Sequence, residues 1–484
     1  MPRKGFTRKF EPIRVLTRIQ VEHIHYLTLE VLERTGVKLE SRRALELLKE
    51  AGCRVDFETN IVRFPGWLVE ESIRKTPSGF SLKARIPEND LRIGLSNLYF
   101  MIAAGAKLHD QTTGKLSVAT LEQNNQYVKL CDGLEALDFQ ASYGPFFELR
   151  DVEPVMLLAE SQASIARFST KVSRGAQATD SFIWEAAIAK AAGKQLIGTI
   201  EGAAPLCFPE DAINAAFEYM DNGFPIWATG GSVMGGSSPV TVAGATVTNN
   251  AETLSAIILI QCYRPGHAVL ANDFVIPMDM TSGNLFFGAI GSGYHQMAFN
   301  QIYRDLYRIP TCNAMAAFPN SKFIDYQNAF EKTHLAMSAA LSGASMIAFI
   351  GSVSQELAWS PIQAVIDNDA VNIIGRYIEG FEVNSETAPL DLINEVGPSP
   401  GSFLGTKHTR ENWKKEYYIP HVFDRLSYQD WERSGKKNVL DKARERVEEI
   451  LSVHKPVPLA SGQEIEIEEI LKNARKYYKN KGLL

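Results

Sequence analysis

PIWATGGSVMGGSSPVTVAGATVTNNAETL, residues 225–254, contains the pattern that decides the fold. A short apolar run, PIWAT, ends in two glycines, and a glycine- and serine-rich loop leads from it into a long apolar helix. An apolar run without polar alternation indicates a strand buried on both faces, which is typical of a parallel sheet. Ser238 is a good N-cap residue and Pro239 a good first helical residue, so we predict that the helix begins there.

Three polar residues, Asn249, Asn250 and Glu252, interrupt this otherwise apolar helix. They lie more than two helical turns beyond the loop at 230–238, which we expect to face a substrate cavity. We therefore predict that they bond to neighbouring loop or helix backbone and hold the loop in place, and that they do not contact a substrate.

The same strand–loop–helix unit recurs through the middle of the chain. Eight such units fit a closed barrel of alternating strands and helices, whereas a flavodoxin-like open sheet needs about three fewer. We therefore predict an α/β fold: a (β/α)8 TIM barrel with an N-terminal helical segment and a C-terminal helical extension. The eight candidate strands read YFMIAAG, LDFQASYG, FSTKVSRG, QLIGTIEG, PIWATGG, HAVLAND, PTCNAMAAF and SMIAFIGS.

The sequence pattern divides the chain into three parts. The N-terminal part contains amphipathic helical stretches such as SRRALELLKEAG, which starts at the N-cap candidate Ser41 and ends at Gly52. We predict that residues 1–95 form a mostly helical segment packed on the barrel and that residues 96–380 form the catalytic barrel. Residues 381–484 are predicted to be a loop and helical extension, which packs on the side of the barrel or contacts a second copy.

Composition limits the classes of function. The 484 residues carry a formal net charge of -6 and no long basic run, which argues against nucleic-acid binding. Five widely separated cysteines, without a CxxC or Cys/His cluster, indicate neither a disulfide framework nor a metal site. The N-terminus lacks the apolar core of a signal peptide, and serine and glycine interrupt the most apolar window, residues 334–353. We expect a cytoplasmic protein without a membrane span.

The C-terminal ends of barrel strands build the active site of such folds, so the residues there are candidates. Many of these residues are aromatic, and aromatic rings are how proteins hold quaternary ammonium groups. Each ring has an alternative role as core packing, because aromatic side chains also fill barrel interiors. The aromatic candidates for substrate binding are Tyr143, Phe146, Phe208, Trp227, Phe274 and Phe318.

Polar residues at the strand ends supply the other candidates. Glu201 and His295 are the candidate catalytic groups, with scaffold hydrogen bonding as the alternative role of each. Arg174 and the backbone N–H groups of Gly231 and Ser232 are candidates for holding a substrate carboxylate. No GxSxG, HExxH or paired-carboxylate motif is present, and GGSVMGGSS lacks the spacing of a nucleotide-binding loop.

Five longer motifs follow one another along the chain: SSPVTVAGATVTNNAETLSAIILIQ, RPGHAVL, NSKFIDYQNAFEK, EVGPSPGSFLGTKHTRENW and RLSYQDWERSG. The sequence resembles the trimethylamine methyltransferase family, and the resemblance covers nearly the whole chain. Founding members carry pyrrolysine, whereas this sequence contains only the twenty standard residues. It is therefore similar to the non-pyrrolysine branch, whose members demethylate quaternary amines such as glycine betaine, proline betaine and carnitine.

The resemblance implies transfer of a methyl group from a betaine-like quaternary amine to the Co(I) corrinoid of a small partner protein. No tightly bound cofactor is expected in this chain, because the DxHxxG-type corrinoid motif is absent. Cobalamin would be carried by the partner. Two alternatives stay open: a barrel lyase or isomerase acting on a small acid, for which Lys171 is the Schiff-base candidate, and a non-catalytic betaine-binding protein.

Overall fold

The computed structural model describes residues 4–484, and within them eight parallel strands close into a barrel. Each strand pairs with the next in chain order, and the last returns to the first with Met346 opposite Tyr99. The predicted (β/α)8 barrel is therefore confirmed. The barrel strands are β1 (Asn97–Ile102), β2 (Phe139–Gln140), β3 (Val172–Arg174), β4 (Leu196–Glu201), β5 (Ile226–Thr229), β6 (Val269–Asp273), β7 (Thr311–Asn313) and β8 (Met346–Ile350).

One long helix follows each strand and covers the outside of the barrel. The start predicted at Ser238 and Pro239 is wrong for the fifth helix: Thr241 is its N-cap and accepts a hydrogen bond from Gly244 N at 3.3 Å. Ser238 belongs to the loop, where it bridges to Met234. The barrel helices are α1 (Leu121–Gly133), α2 (Leu157–Phe168), α3 (Ser181–Ala191), α4 (Glu210–Asp221), α5 (Val242–Tyr263), α6 (Ile290–Ile302), α7 (Tyr326–Ser342) and α8 (Pro361–Glu379).

The N-terminal segment packs on the outer face of α5. Ser41 caps its second α-helix as predicted, and Asn250 of α5 donates to Thr28 Oγ1 of its first helix at 3.1 Å. A small sheet joins the segment to Cys207–Phe208, which follows β4. Residues 1–3 of the segment predicted over 1–95 lie outside the described residues. The other elements are the helices Arg18–Glu30, Arg42–Glu50 and Gly66–Lys75, the π-turn Val31–Thr35 and the strands Val37–Leu39, Arg54–Asp56 and Ile61–Arg63.

A hairpin of Gly79–Leu82 and Leu91–Gly94 closes the N-terminal end of the barrel. Its side chains Leu82, Leu91 and Ile93 are buried in one apolar cluster with inward-facing residues of the barrel strands. The hairpin is tied to the strand starts by hydrogen bonds such as that from Gln195 N to Lys83 O, at 2.8 Å. The interior of the barrel is therefore filled at this end.

The C-terminal extension packs its two longest helices on the barrel. Val439–Val453 lies against α1 and α8, and Ser461–Asn480 lies against α2 and α3. Three shorter helices, Leu390–Val396, Lys407–Glu416 and Tyr428–Arg433, bury no residue. Within residues 4–484, no helix combines the length and the apolar character that crossing a membrane requires.

Short strands surround the C-terminal end of the barrel. Ser352–Val353, Ala358–Trp359, Lys107–His109 and Leu116–Ser117 form one small sheet over β8 and β1. Ser232–Met234 and Val275–Pro277 form a second one beyond β5 and β6. Because these strands extend the barrel wall, they give the loops at this end a fixed backbone on which side chains can be positioned.

Candidate active site

A cavity of about 360 Å³ opens at the C-terminal end of the barrel. This volume lies within the range of roughly 300–1,000 Å³ that is usual for small-molecule sites. All eight strands or the loops after them contribute to its wall. The lining side chains that carry a ring or a charge are Tyr143, Phe147, Arg174, Glu201, Trp227, Phe274, Phe318 and Glu356.

Seven of the eleven residues predicted from the sequence line this cavity. They come from six different places along the chain, at or after β2 to β7, and the closure of the barrel brings them together. The expectation that strand ends build the site therefore located seven of the 20 residues that line the cavity. The seven residues are Tyr143, Arg174, Glu201, Trp227, Gly231, Phe274 and Phe318.

The other four predicted residues lie outside the cavity wall. Phe146 is fully buried and packs edge-on against Trp359, with ring centroids 5.7 Å apart. Phe208 is drawn into the core shared with the N-terminal segment, because its strand pairs with Leu39. Ser232 is buried at the start of a strand that pairs with Val275.

His295, the fourth, is completely buried on α6, away from the cavity. Its Nδ1 lies 2.8 Å from Asp273 Oδ1, at the end of β6. Asp273 Oδ2 in turn accepts a hydrogen bond from Asn313 on β7, at 3.2 Å. This arrangement joins α6 to two strand ends behind the cavity, as expected for the scaffold role that was the alternative for His295.

Lys171 also lies away from the cavity. Its Nζ donates to the backbone oxygens of Cys131 and Leu134, at 2.8 and 2.7 Å, beneath the end of α1. Burial lowers the pKa of Lys171 to about 7, but Lys171 is not among the residues that line the cavity. The alternative of a barrel lyase or isomerase therefore has no support from Lys171 as its Schiff-base residue.

Arg174 is the cation of the cavity, and most of its hydrogen-bonding capacity is committed. Its Nη1 donates to Glu201 Oε1 at 2.6 Å, and its Nε donates to Ser142 Oγ at 3.3 Å. The guanidinium also lies over the Trp227 ring, 5.1 Å from the ring centroid. Within residues 4–484, Nη2 donates no hydrogen bond, so this edge of the group is available to a ligand.

Hydrogen bonds from α5 hold two neighbouring loops, the glycine loop of the cavity and the loop after β4. Asn249 Oδ1 accepts from Gly231 N at 3.2 Å, and Glu252 Oε1 accepts from Leu206 N, in the loop after β4, at 2.8 Å. These two residues therefore bond to loop backbone, as the sequence indicated. Asn250 differs, because it donates to Thr28 and Tyr307 and joins α5 to the N-terminal segment.

Glu356 is the acidic residue that sequence reasoning missed. It lies six residues beyond the end of β8 and lines the same cavity as the predicted candidates. Burial, and then the negative charge of Glu201, raise the pKa of its carboxyl group, against the opposing effect of Arg174. The rule that strand ends build the site indicates the loop after β8, but it does not show which residue of that loop turns back to the cavity.

No three His, Cys, Asp or Glu side chains within residues 4–484 converge in a way that would hold a metal ion. The polar side chains of the cavity wall are one ion pair, one further carboxyl group, the hydroxyls of Tyr143 and Thr229 and the amide of Asn272. Burial raises the pKa of Tyr143 to about 12, so its hydroxyl keeps its proton and can donate a hydrogen bond.

Comparison with known proteins gives consistent matches over most of the chain. The family model of trimethylamine methyltransferase (MTTB) matches residues 2–477. Trimethylamine methyltransferase MttB of Desulfitobacterium hafniense (strain DSM 10664 / DCB-2) is 30% identical over 452 residues, which cover 90% of this chain and 89% of that protein. Glycine betaine methyltransferase of Desulfitobacterium hafniense (strain Y51) is 29% identical over 458 residues, 92% of this chain and 94% of that protein.

A solved structure, that of the hydroxylamine complex of MtmB, is similar in fold. It superposes with a TM-score of 0.50 and 14% identity, over 96% of this chain and 93% of that chain. The family model covers nearly all of the sequence, and its curated relatives are methyltransferases. The chain therefore belongs to the trimethylamine methyltransferase family and is a methyltransferase.

Proposed function

We propose that the protein transfers a methyl group from a betaine-like quaternary amine to the Co(I) corrinoid of a partner protein. The observation that carries this proposal is the aromatic wall of the cavity, formed by Tyr143, Phe147, Trp227, Phe274 and Phe318. Ring faces attract a quaternary ammonium group, which cannot donate a hydrogen bond and therefore gains little from polar side chains. The name of the glycine betaine methyltransferase relative supports the same substrate class.

Arg174 is the residue best placed to hold the carboxylate of a betaine. Its Nη2 donates no hydrogen bond within residues 4–484, while Nη1 and Nε are fixed by Glu201 and Ser142. A guanidinium held on two sides keeps its orientation, and a charge-assisted hydrogen bond from the third side fixes the ligand. The ammonium group would then lie among the rings, and the carboxylate would lie beside Arg174.

The proposed reaction requires the protein mainly to position the substrate. The Co(I) corrinoid supplies the nucleophile when the partner is bound, and a quaternary amine leaves as a neutral tertiary amine. No general acid is therefore needed, which suits a cavity whose Glu201 is already paired with Arg174. The rings and Arg174 orient one methyl group toward the open end of the barrel and exclude water from the ammonium group.

The partner would dock at the open end, where several apolar side chains are exposed. We call this surface the mouth rim, and it consists of Val240, Phe286, Ile290 and Phe330, which are 60%, 45%, 64% and 59% exposed. All four follow the C-terminal ends of β5, β6 and β7, and together they border a shallow apolar groove. Exposed apolar patches of this kind mark sites of protein contact.

A corrinoid methylation assay tests the proposal. The protein is mixed with a Co(I) corrinoid protein, or with free Co(I) cobalamin, and with trimethylamine, glycine betaine, proline betaine, carnitine or choline. The proposal expects the Co(I) absorbance to be replaced by that of the methylated corrinoid with one quaternary amine. A response to trimethylamine alone contradicts the proposal that the substrate is a quaternary amine. No response to any amine, with a competent corrinoid protein present, contradicts the proposal that a corrinoid accepts the methyl group.

A further inference from the structure

Glu356 carries a carboxylate that no side chain among residues 4–484 pairs with directly. Within residues 4–484 its carboxylate forms no hydrogen bond and no ion pair, although it lines the cavity. Arg174, the cation of the same wall, is joined to Glu201 at 2.6 Å. The cavity therefore contains one balanced pair and one carboxylate left over. A partly buried carboxylate without a partner is unfavourable, and a bound cation would offset that cost.

The backbone around Glu356 is held in a conformation that positions this side chain. Ser354 and Gln355, the two residues before it, have φ angles of 57° and 65°, in the left-handed region that residues with a Cβ rarely adopt. Ser354 N donates to Ser321 O at 2.9 Å, and Gln355 N donates to Pro319 O at 2.7 Å. Strained turns of this kind persist only where the surrounding structure fixes them.

The loop at 319–321, which receives those bonds, is itself fixed. Glu331 Oε2 accepts from Asn320 N at 2.6 Å and from Ser321 N at 3.1 Å. On the other side of the turn, Glu356 O accepts from Ala106 N at 3.0 Å. Glu356 is thus anchored on both sides, to the loops after β7 and β1, and its carboxylate is held at the aromatic wall.

We propose that Glu356 is the counter-ion of the substrate's quaternary nitrogen, and that it makes the cavity select a cationic trimethylammonium group over a neutral group of the same shape. This inference rests on the proposed function, because it names the charge that the same cavity recognises. Together with Arg174, Glu356 gives the cavity wall side chains of both charges, which matches a zwitterion such as a betaine.

A counter-ion has a kinetic consequence that distinguishes it from a structural residue. The positive charge on nitrogen disappears as the methyl group leaves, so Glu356 stabilises the bound substrate more than the transition state. Replacing it with glutamine should raise KM for the amine by about tenfold while kcat stays equal or rises. A residue that only supported the fold would lower kcat together with the thermal stability.

Binding of two matched ligands tests the inference without any corrinoid. Glycine betaine and 3,3-dimethylbutanoate have the same shape, but the second has carbon in place of the charged nitrogen. Calorimetry gives the ratio of their Kd values for the wild type, Glu356→Gln and Glu356→Asp. We expect wild type to prefer glycine betaine, Glu356→Gln to reduce that preference by about tenfold, and Glu356→Asp to keep most of it.

Glu148→Gln is the matched control, because Glu148 is exposed on the loop after β2 and forms no ion pair within residues 4–484. Its preference should equal that of wild type. The inference is overturned if wild type binds the two ligands equally or binds neither, or if Glu356→Gln keeps the full preference. If Glu356→Gln reduces the preference for glycine betaine as expected but the wild type transfers no methyl group to a corrinoid, only the proposed reaction is contradicted. Melting curves verify that Glu356→Gln folds, and the Asp variant provides a second comparison.

Discussion

Arg174 and Glu201 form an ion pair inside the cavity, with Nη1 2.6 Å from Oε1, and each belongs to the end of a neighbouring barrel strand. The pair is well shielded, because the two side chains are 17% and 34% exposed. Removing one partner of such a pair leaves the other charge uncompensated. The pair therefore sets the orientation of Arg174 and leaves Glu356 as the remaining charged group of the cavity wall.

Arg174→Ala should raise KM for glycine betaine, because the carboxylate of the ligand loses its charge-assisted partner. A bond of this kind contributes about 1.5–3 kcal/mol, which corresponds to roughly a ten- to hundredfold rise. KM for choline, which has no carboxylate, should not rise. Arg264→Ala removes a matched ion pair, with Asp221 at 2.6 Å, far from the cavity and serves as the control. An unchanged KM for glycine betaine would remove Arg174 from the site.

Gly230→Ala should disrupt the loop that α5 supports. A Cβ on Gly230 would lie 2.6 Å from Asn249 Oδ1 and 2.7 Å from Glu252 Oε2, so the loop must move. Displacement of a site by about 1 Å can cost roughly a hundredfold in rate, and we expect kcat/KM to fall at least tenfold. Gly462→Ala is the control, because a Cβ there meets nothing within 4 Å. Equal kcat/KM in the two variants would contradict this role of the loop.

Glu252→Gln should stabilise the protein at alkaline pH. Burial raises the pKa of Glu252 from its ordinary 4.5 to about 7, so folding favours the protonated carboxyl group. The stability that goes with this proton is fully present below pH about 4.5 and is lost as the pH rises through about 7. The loss amounts to about 3 kcal/mol, and glutamine avoids it while keeping an oxygen for Leu206 N.

The measurement for this prediction is the melting temperature of wild type and Glu252→Gln between pH 4.5 and 8.5. The two proteins should be nearly equal at the acidic end, and the variant should melt higher at the alkaline end. Glu148→Gln, which removes an exposed carboxylate, should show no such divergence. A constant difference across the range would mean that Glu252 is ionised in the folded protein at every pH tested.

Phe286→Ala should weaken the contact with the corrinoid protein, because Phe286 is an exposed member of the mouth rim. Loss of a buried aromatic contact costs about 1.5–3 kcal/mol, so kcat/KM for the partner should fall at least tenfold. Methylation of free cobalamin should be unaffected, since it needs no docking surface. Trp67→Ala, which removes an exposed aromatic residue of the N-terminal segment, is the control. Equal losses with both acceptors would indicate a damaged cavity instead.

Most of the barrel could be predicted because most of its strands are short apolar runs followed by glycine, a pattern that can be recognised within a few neighbouring residues. The same pattern located Trp227 and Arg174, which lie on the strands themselves. Phe208 also follows a strand end, but it pairs with Leu39, which is distant in sequence, and therefore lies in the core. Glu356 was missed for the same reason. It reaches the cavity through a turn whose shape depends on contacts with residues 319–321, and no local pattern encodes them.

The hairpin at residues 79–94 has a consequence for the order of events in a catalytic cycle. Since it fills one end of the barrel, the cavity communicates with solvent through its other end alone within residues 4–484. Under the proposed function, the docked corrinoid protein would cover that same passage. The amine must then enter first, and the demethylated amine must leave last. Initial-rate kinetics should therefore follow a compulsory sequence, with inhibition at high concentrations of the corrinoid protein when it binds ahead of the amine.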